Sequence, residues 1–168
     1  MHFDTFPESP EHFAEIEALH ELSFGPGRYA KTAYRLREGI PDVAELCFVI
    51  FAGEGDAYRM VGSIRYAPVL IAGRPALMLG PLAMDPVVRG MGGGAELMRV
   101  SLERARELGH ELVILVGDPA YYAKAGFKPV PRDQISLPGP VDKSRLLYLE
   151  LREGAFEGVH GMVSRVTA

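Results

Sequence analysis

Leu79-Gly80-Pro81-Leu82-Ala83-Met84-Asp85-Pro86-Val87-Val88-Arg89-Gly90-Met91-Gly92-Gly93-Gly94 decides the fold of this chain. An apolar run fit for a strand enters a glycine-rich turn, and helical spacing begins directly behind it. Backbone N–H groups of such a turn point outward, and the following helix N-terminus carries partial positive charge, so the place suits a diphosphate. The spacing Arg89-x-x-Gly92-x-Gly94 is not the dinucleotide fingerprint, and no Gly-Lys-Ser/Thr follows it. That argues against NAD and against a nucleoside triphosphatase. The plainer reading of Gly90, Gly92, Gly93 and Gly94 is a tight turn and nothing more.

Gly80-Pro81 interrupts the strand. Proline donates no ladder hydrogen bond, so a bulge or an unpaired edge is expected there. The break should splay this strand from the apolar run Leu112–Val116 and free the N–H and C=O groups of Leu82, Ala83 and Met84. An extended ligand carrying amides pairs with such an edge as an added strand.

Arg89-x-x-Gly92-x-Gly94, followed by Tyr121-Tyr122-Ala123-Lys124-Ala125-Gly126-Phe127, resembles the GCN5-related N-acetyltransferase (GNAT) superfamily. Leu115-Val116-Gly117-Asp118-Pro119-Ala120-Tyr121-Tyr122 resembles its YhbS-like branch of bacterial acetyltransferases. The two motifs cover roughly residues 76–130, and weaker likeness extends over most of the chain. The resemblance implies an α/β chain: one mixed, mostly antiparallel sheet, splayed at a bulged strand, with helices on both faces. It implies acetyl-CoA as cosubstrate and no metal. The diphosphate would lie on Arg89, Gly90, Met91, Gly92, Gly93 and Gly94, and the pantetheine along Leu82, Ala83 and Met84. The reaction implied is direct attack of a primary amine on the acetyl thioester in a ternary complex. The N–H of Met84 would then face the oxyanion. Tyr122 stands four residues before Gly126, where the superfamily commonly carries its general acid. A phenol is protonated at neutral pH and can donate to a departing thiolate. The alternative for Tyr122 is a buried structural phenol. Many relatives place an asparagine just ahead of this tyrosine. Asp118-Pro119 stands there instead and reads as a helix cap.

Composition agrees. The chain has 168 residues, 48% of them hydrophobic and 24% charged, which suits one globular domain over 1–168. No apolar run is long enough to cross a bilayer, and Met1-His2-Phe3-Asp4 shows no secretion signal. Cys47, the only cysteine, lies in an apolar run, so an internal disulfide and a cysteine zinc cluster are excluded. A buried thiol is expected there, and the cytoplasm fits. A formal charge of −4 without a basic run speaks against nucleic acid as a partner, and nothing points to a membrane.

Spacing along the chain predicts a helix over 10–23 behind Ser9-Pro10, a short helix over 29–38, and strands over 46–51, 58–67 and 76–84. A helix over 92–108 should bury Ala95, Met98, Leu102 and Ala105, and Gly109 should stop it. Leu112–Val116 is apolar on both faces, as a central parallel strand would be. A short helix over 119–125 and strands over 127–130 and 145–151 follow.

In the superfamily the first two helices and their connecting loop cover the acceptor. Arg28 and Tyr29 fall in that loop and are the candidates for contact with an acidic or carboxylated amine, with Arg35 and Arg37 behind them. Glu21, Glu38 and Asp85 are candidates for the base by region only. The five histidines show no metal spacing and read as solvated or helix-face residues. The acceptor is a small-molecule or protein amine, and relatives are often homodimers. Two rivals stand beside a small-amine enzyme: a coenzyme A-binding sensor without turnover, and a modifier of protein N-termini or lysines.

Overall fold

A two-residue hairpin organises the sheet. Ala72 (φ 49°) and Gly73 (φ 84°) both take positive φ, as a tight hairpin loop between twisted strands demands. They join β3 (Arg59–Ile71) to β4 (Arg74–Met84), which run antiparallel from Ile71 opposite Arg74 back to Gly62 opposite Met84. This computed structural model describes residues 1–24 and 32–166. Within them the strand order is β1 (Asp4–Pro7), β2 (Phe48–Ala52), β3, β4, β5 (Leu112–Val116), β8 (Leu146–Glu150) and β6 (Lys128–Pro129). β9 (Gly161–Arg165) pairs with the far end of β3, and β7 (Ile135–Ser136) pairs with β9. β4–β5 and β7–β9 are parallel and the remaining pairs antiparallel, so the sheet is mixed and mostly antiparallel.

Helices cover both faces. α3 (Gly93–Glu107) lays Leu97, Met98, Leu102 and Ala105 on Ile50, Ile64, Tyr66 and Leu77. Its stripe is shifted from the expected one: Ala95 is exposed, and Leu97 and Ser101 are buried. Ser101 tolerates burial because its hydroxyl donates back to Leu97 O (2.7 Å) and meets Tyr66 Oη (2.7 Å). The helix ends in paired turn bonds, His110 N–H to Ala105 O (3.0 Å) and Gly109 N–H to Arg106 O (3.1 Å). On the opposite face α1 (Phe13–Phe24) buries Ile16 against Val49 and Met60, and α2 (Thr32–Arg37) buries Leu36 against Val69 and Met78. Phe13 is exposed, and the first turn of the expected span, Pro10–His12, is a separate tight turn ahead of α1. The second helix begins at Thr32; residues 29–31 of its expected span lie outside the described residues. The apolar run at 46–51 also divides: Ala44–Leu46 forms a single tight turn, and the strand starts at Phe48.

Two departures from strand regularity position the site. Ile64 faces Leu82 but Tyr66 faces Leu79, so Gly80 and Pro81 together oppose the single residue Arg65. That is the bulge expected of a proline within a strand. The β4–β5 ladder holds only Leu77 with Val113 and Met78 with Ile114. Beyond Met78 the two strands part, while β5 pairs along its full length with β8. β5 is therefore parallel to one neighbour and antiparallel to the other.

Candidate active site

A cleft of about 380 Å³ opens where β4 leaves β5. Leu79, Gly80, Pro81 and Leu82 form one wall, and Val116 and Gly117 the other. α4 (Pro119–Ala123) closes one side with Tyr121 and Tyr122. His20 and Phe24 from α1 and Tyr34 and Arg37 from α2 close the opposite side.

The backbone of β4 presents an unmatched edge. Asp85 N–H donates to Val61 O (2.8 Å) on β3. Strand alternation then turns the N–H groups of Leu82 and Met84 away from β3, to the side where β5 has departed. Ala83 differs from expectation: it lies opposite Ser63 and turns its N–H and C=O toward β3, so the open edge consists of Leu82 and Met84. The Met84 carbonyl accepts from Ser23 Oγ (3.2 Å), which ties the end of α1 to this edge. The Met84 side chain is packed between positions 62 and 93, leaving its backbone as the part facing the split.

Past Met84 the chain turns through Pro86–Val88, capped by Asp85, whose carboxylate accepts from Val87 N–H (2.9 Å). Asp85 also pairs with Arg59 (2.8 Å) and does not line the cleft. Arg89, Gly90, Met91 and Gly92 are exposed at the head of α3, and Gly92 takes φ +96°, a conformation glycine adopts without strain. Glu96 N–H is the first amide bonded within the helix, to Gly92 O (3.1 Å). The N–H groups of Gly93, Gly94 and Ala95 therefore lack a partner within the helix, as the first turn leaves them and an anion site uses them. A neighbouring groove between α3 and α4 brings together Arg99, Arg106 and Lys124 and shares Tyr121 with the cleft.

Tyr122 is fixed by packing. Its ring lies flat against Gly117, where any Cβ would overlap it, and meets Phe127 (5.8 Å) and Tyr121 (5.0 Å) edge-on. Among the described residues its hydroxyl makes no hydrogen bond. Burial pushes its pKa up to about 12, with the Tyr121 phenol adding to the effect. Asp118 accepts from Ala120 N–H (3.0 Å), the cap of α4.

The acceptor-side candidates separate. Arg28 and Tyr29 lie outside the described residues. Arg35 is exposed. Arg37 reaches inward, donates to Gly80 O and stacks over the Tyr34 ring (5.5 Å). Burial lowers the pKa of its guanidinium, opposed by the charge of Asp42. Glu21 and Glu38 are exposed and absent from the cleft wall. His20, expected to be solvated or on a helix face, lies on the buried face of α1, is only 4% exposed and lines the cleft. The signal was in the sequence: Ile16, Leu19, His20 and Ser23 follow one helical stripe. Tyr34 and Arg145 also line the cleft and went unforeseen, since nothing in their spacing joins them to it. Cys47 is buried as expected, with its thiol donating to Val43 O (3.3 Å). Among the described residues no His, Cys, Asp or Glu group of three or more could hold a metal, and no helix is long and apolar enough to cross a membrane.

A sheet opened behind a bulge, with a glycine-headed helix beneath the opening, defines a class. Residues 13–127 match the acetyltransferase (GNAT) family, and the chain belongs to it. It is similar to the uncharacterized N-acetyltransferase YhbS of Escherichia coli, 31% identical over 150 residues, spanning 88% of this chain and 87% of that protein. A crystal structure of E. coli YhbS in complex with CoA matches with a TM-score of 0.80 at 26% identity, covering 98% of this chain and 89% of that one. A GNAT family acetyltransferase from Brucella melitensis in complex with acetyl-CoA matches with a TM-score of 0.64 at 27% identity, covering 89% and 88%.

Proposed function

We propose that this protein is an N-acetyltransferase that moves the acetyl group of acetyl-CoA to a primary amine by direct attack in a ternary complex. One observation carries the reading: the unmatched edge of β4 and the unbonded Tyr122 phenol border the same split in the sheet. Two similar proteins whose structures contain CoA or acetyl-CoA support it.

The cosubstrate's diphosphate would sit on the N–H groups behind Gly92, beside Arg89, Gly90 and Met91. Its pantetheine amides would pair with Leu82 and Met84 as an added strand. The oxyanion of the tetrahedral intermediate would fall to Met84 N–H, and one such donor is worth about 10²–10³-fold in turnover. Tyr122, holding its proton far into the alkaline range, would give it to the departing thiolate. The cysteine takes no part, since a buried thiol pushed up to about 12 is no nucleophile. The acceptor would enter from the α1–α2 side, where Arg28 and Tyr29 fall in the chain. We read residues 1–168 as one cytoplasmic acetyltransferase domain.

The test is thiol release from acetyl-CoA with neutral, acidic and peptide-borne amines. Turnover with any of them supports the reading. Binding of acetyl-CoA without turnover across the panel favours a sensor on the same fold. A preference for peptide amines makes the protein a modifier of polypeptides.

A further inference from the structure

We propose that His20 is the proton acceptor for the incoming amine, an inference that rests on the acetyltransfer reading above. The two sides of the split carry different chemistry. Tyr122 stands with α4, and His20 stands across the cleft with α1 and α2. A ternary complex needs such a division: a proton leaves the nitrogen on one side and reaches the sulfur on the other.

Elimination points to the same residue. The ionisable groups lining the cleft, among the described residues, are His20, Tyr34, Arg37, Asp118, Tyr121, Tyr122 and Arg145. Tyrosines and arginines keep their protons at neutral pH. Asp118 is engaged as the cap of α4. An imidazole is the side chain that takes and returns a proton in that range.

The ring is held in place. Its Nε2 lies 3.5 Å from Ser63 Oγ on β3, and its Nδ1 lies 3.9 Å from the Glu17 carboxylate one turn back on α1. Phe24 packs on it at 6.0 Å. Three residues further along the helix, Ser23 anchors to Met84 O, so the backbone that carries His20 is registered against the open edge of β4. His20 also borders a second chamber of about 150 Å³, shared with Tyr34, Arg37, Asp42 and Arg65. Among the described residues the charged groups lining that chamber are Glu17 from α1, Arg37 from α2, Glu38 and Asp42 from the following loop, and Arg65 from β3. Arg65 is occupied by Glu8 (3.0 Å), and Arg37 by Gly80 O. The exposed Glu17 carboxylate gives a proton on His20 a way to solvent.

The step balances. An alkylammonium loses one proton to His20. The free amine forms a C–N bond to the thioester carbon, and the C–S bond breaks as the tetrahedral intermediate collapses. Tyr122 protonates the thiolate and recovers a proton from the nitrogen. His20 passes its own to solvent, so one proton is released per turnover.

The test compares His20→Gln with wild type, using benzylamine at high concentration as the acceptor probe. At neutral pH the variant should turn over about 10²-fold more slowly, with KM for acetyl-CoA unchanged. The deficit should shrink toward unity as pH rises and benzylamine loses its proton unaided. A deficit constant with pH, or none, overturns the proposal. His20→Asn repeats the comparison should the glutamine variant fail to fold. A second arm reads the ring directly by ¹⁵N NMR in the wild-type protein, free and with acetyl-CoA, from about pH 5 to about pH 8. The His20 ring should exchange between neutral and protonated forms and shift on adding benzylamine; a ring fixed in one form and unmoved by amine overturns the proposal. Failure of wild type to use benzylamine at any pH counts against acetyl transfer to simple amines, and the NMR arm then decides His20 on its own.

Discussion

The hydroxyl of Tyr121 occupies the space that a Cβ on Gly94 would fill. The glycine at the head of α3 is thus a packing requirement of α4. Gly94→Val should force the phenol out and cost about 1–3 kcal/mol of stability, the usual penalty of overpacking. Urea unfolding measures it. An unchanged midpoint would mean that Tyr121 has room to move aside.

Tyr122→Phe should leave thermal stability close to wild type, because the hydroxyl makes no hydrogen bond among the described residues. Turnover should fall about 10²–10⁴-fold, the range for loss of a general acid. Steady-state kinetics should place the loss in kcat and spare KM for acetyl-CoA. Full activity in the variant would end the acid role.

Alkaline stability follows from buried acids. Burial pushes the Cys47 thiol from its ordinary 9.0 up to about 12, and Tyr122 from 10.0 up to about 12. Tyr66 is shifted in the same direction by burial. A folded-state value above the unfolded one means stability that is whole below the unfolded value and lost as pH rises toward the folded one. Melting temperature should therefore begin to fall near pH 9.0 and continue toward pH 12. Cys47→Ala should flatten the first part of that decline, and an identical slope would contradict the assignment.

Arg37 ties α2 to the bulge through Gly80 O. Replacing it with Met keeps the stem and removes the charged donor. A charge-assisted hydrogen bond is worth about 1.5–3 kcal/mol, and the orphaned carbonyl adds to the loss. The expected result is lower stability by urea unfolding together with weaker acetyl-CoA binding, since the bulge sets the opening of β4. Stability lost with binding untouched would confine Arg37 to a structural part.

The stretch from Leu79 to Gly94 was legible because each of its parts is local: an apolar run, a proline that forbids a ladder bond, and glycines ahead of helical spacing. β1 was not, since Asp4-Thr5-Phe6-Pro7 is short and ends in proline, and only the edge of β2 makes it a strand. β9 owes its pairing to a turn of β3 beyond the reach of β2, a relation no window of sequence contains. Ala95 looked like core, yet it is exposed and α3 buries Gly93, Leu97 and Ser101 along one face, with the Met84 side chain and Phe3 beside Gly93. The side of the cleft built by β4 and α4 comes from two continuous motifs and could be read. The α1–α2 side of the cleft gathers His20, Tyr34 and Arg37 from separate elements, and Arg145 reaches Gly117 O from the far wall; only folding brings them together.

Calorimetric titration with acetyl-CoA tests the central claim most directly. The wild-type protein should bind one molecule saturably, and Gly94→Glu, which drives a carboxylate into the space beside the Tyr121 hydroxyl at the head of α3, should abolish the heat while circular dichroism shows an intact fold. An absence of binding by wild type, or equal affinity in a folded variant, would contradict the placement of the thioester in the gap between β4 and β5.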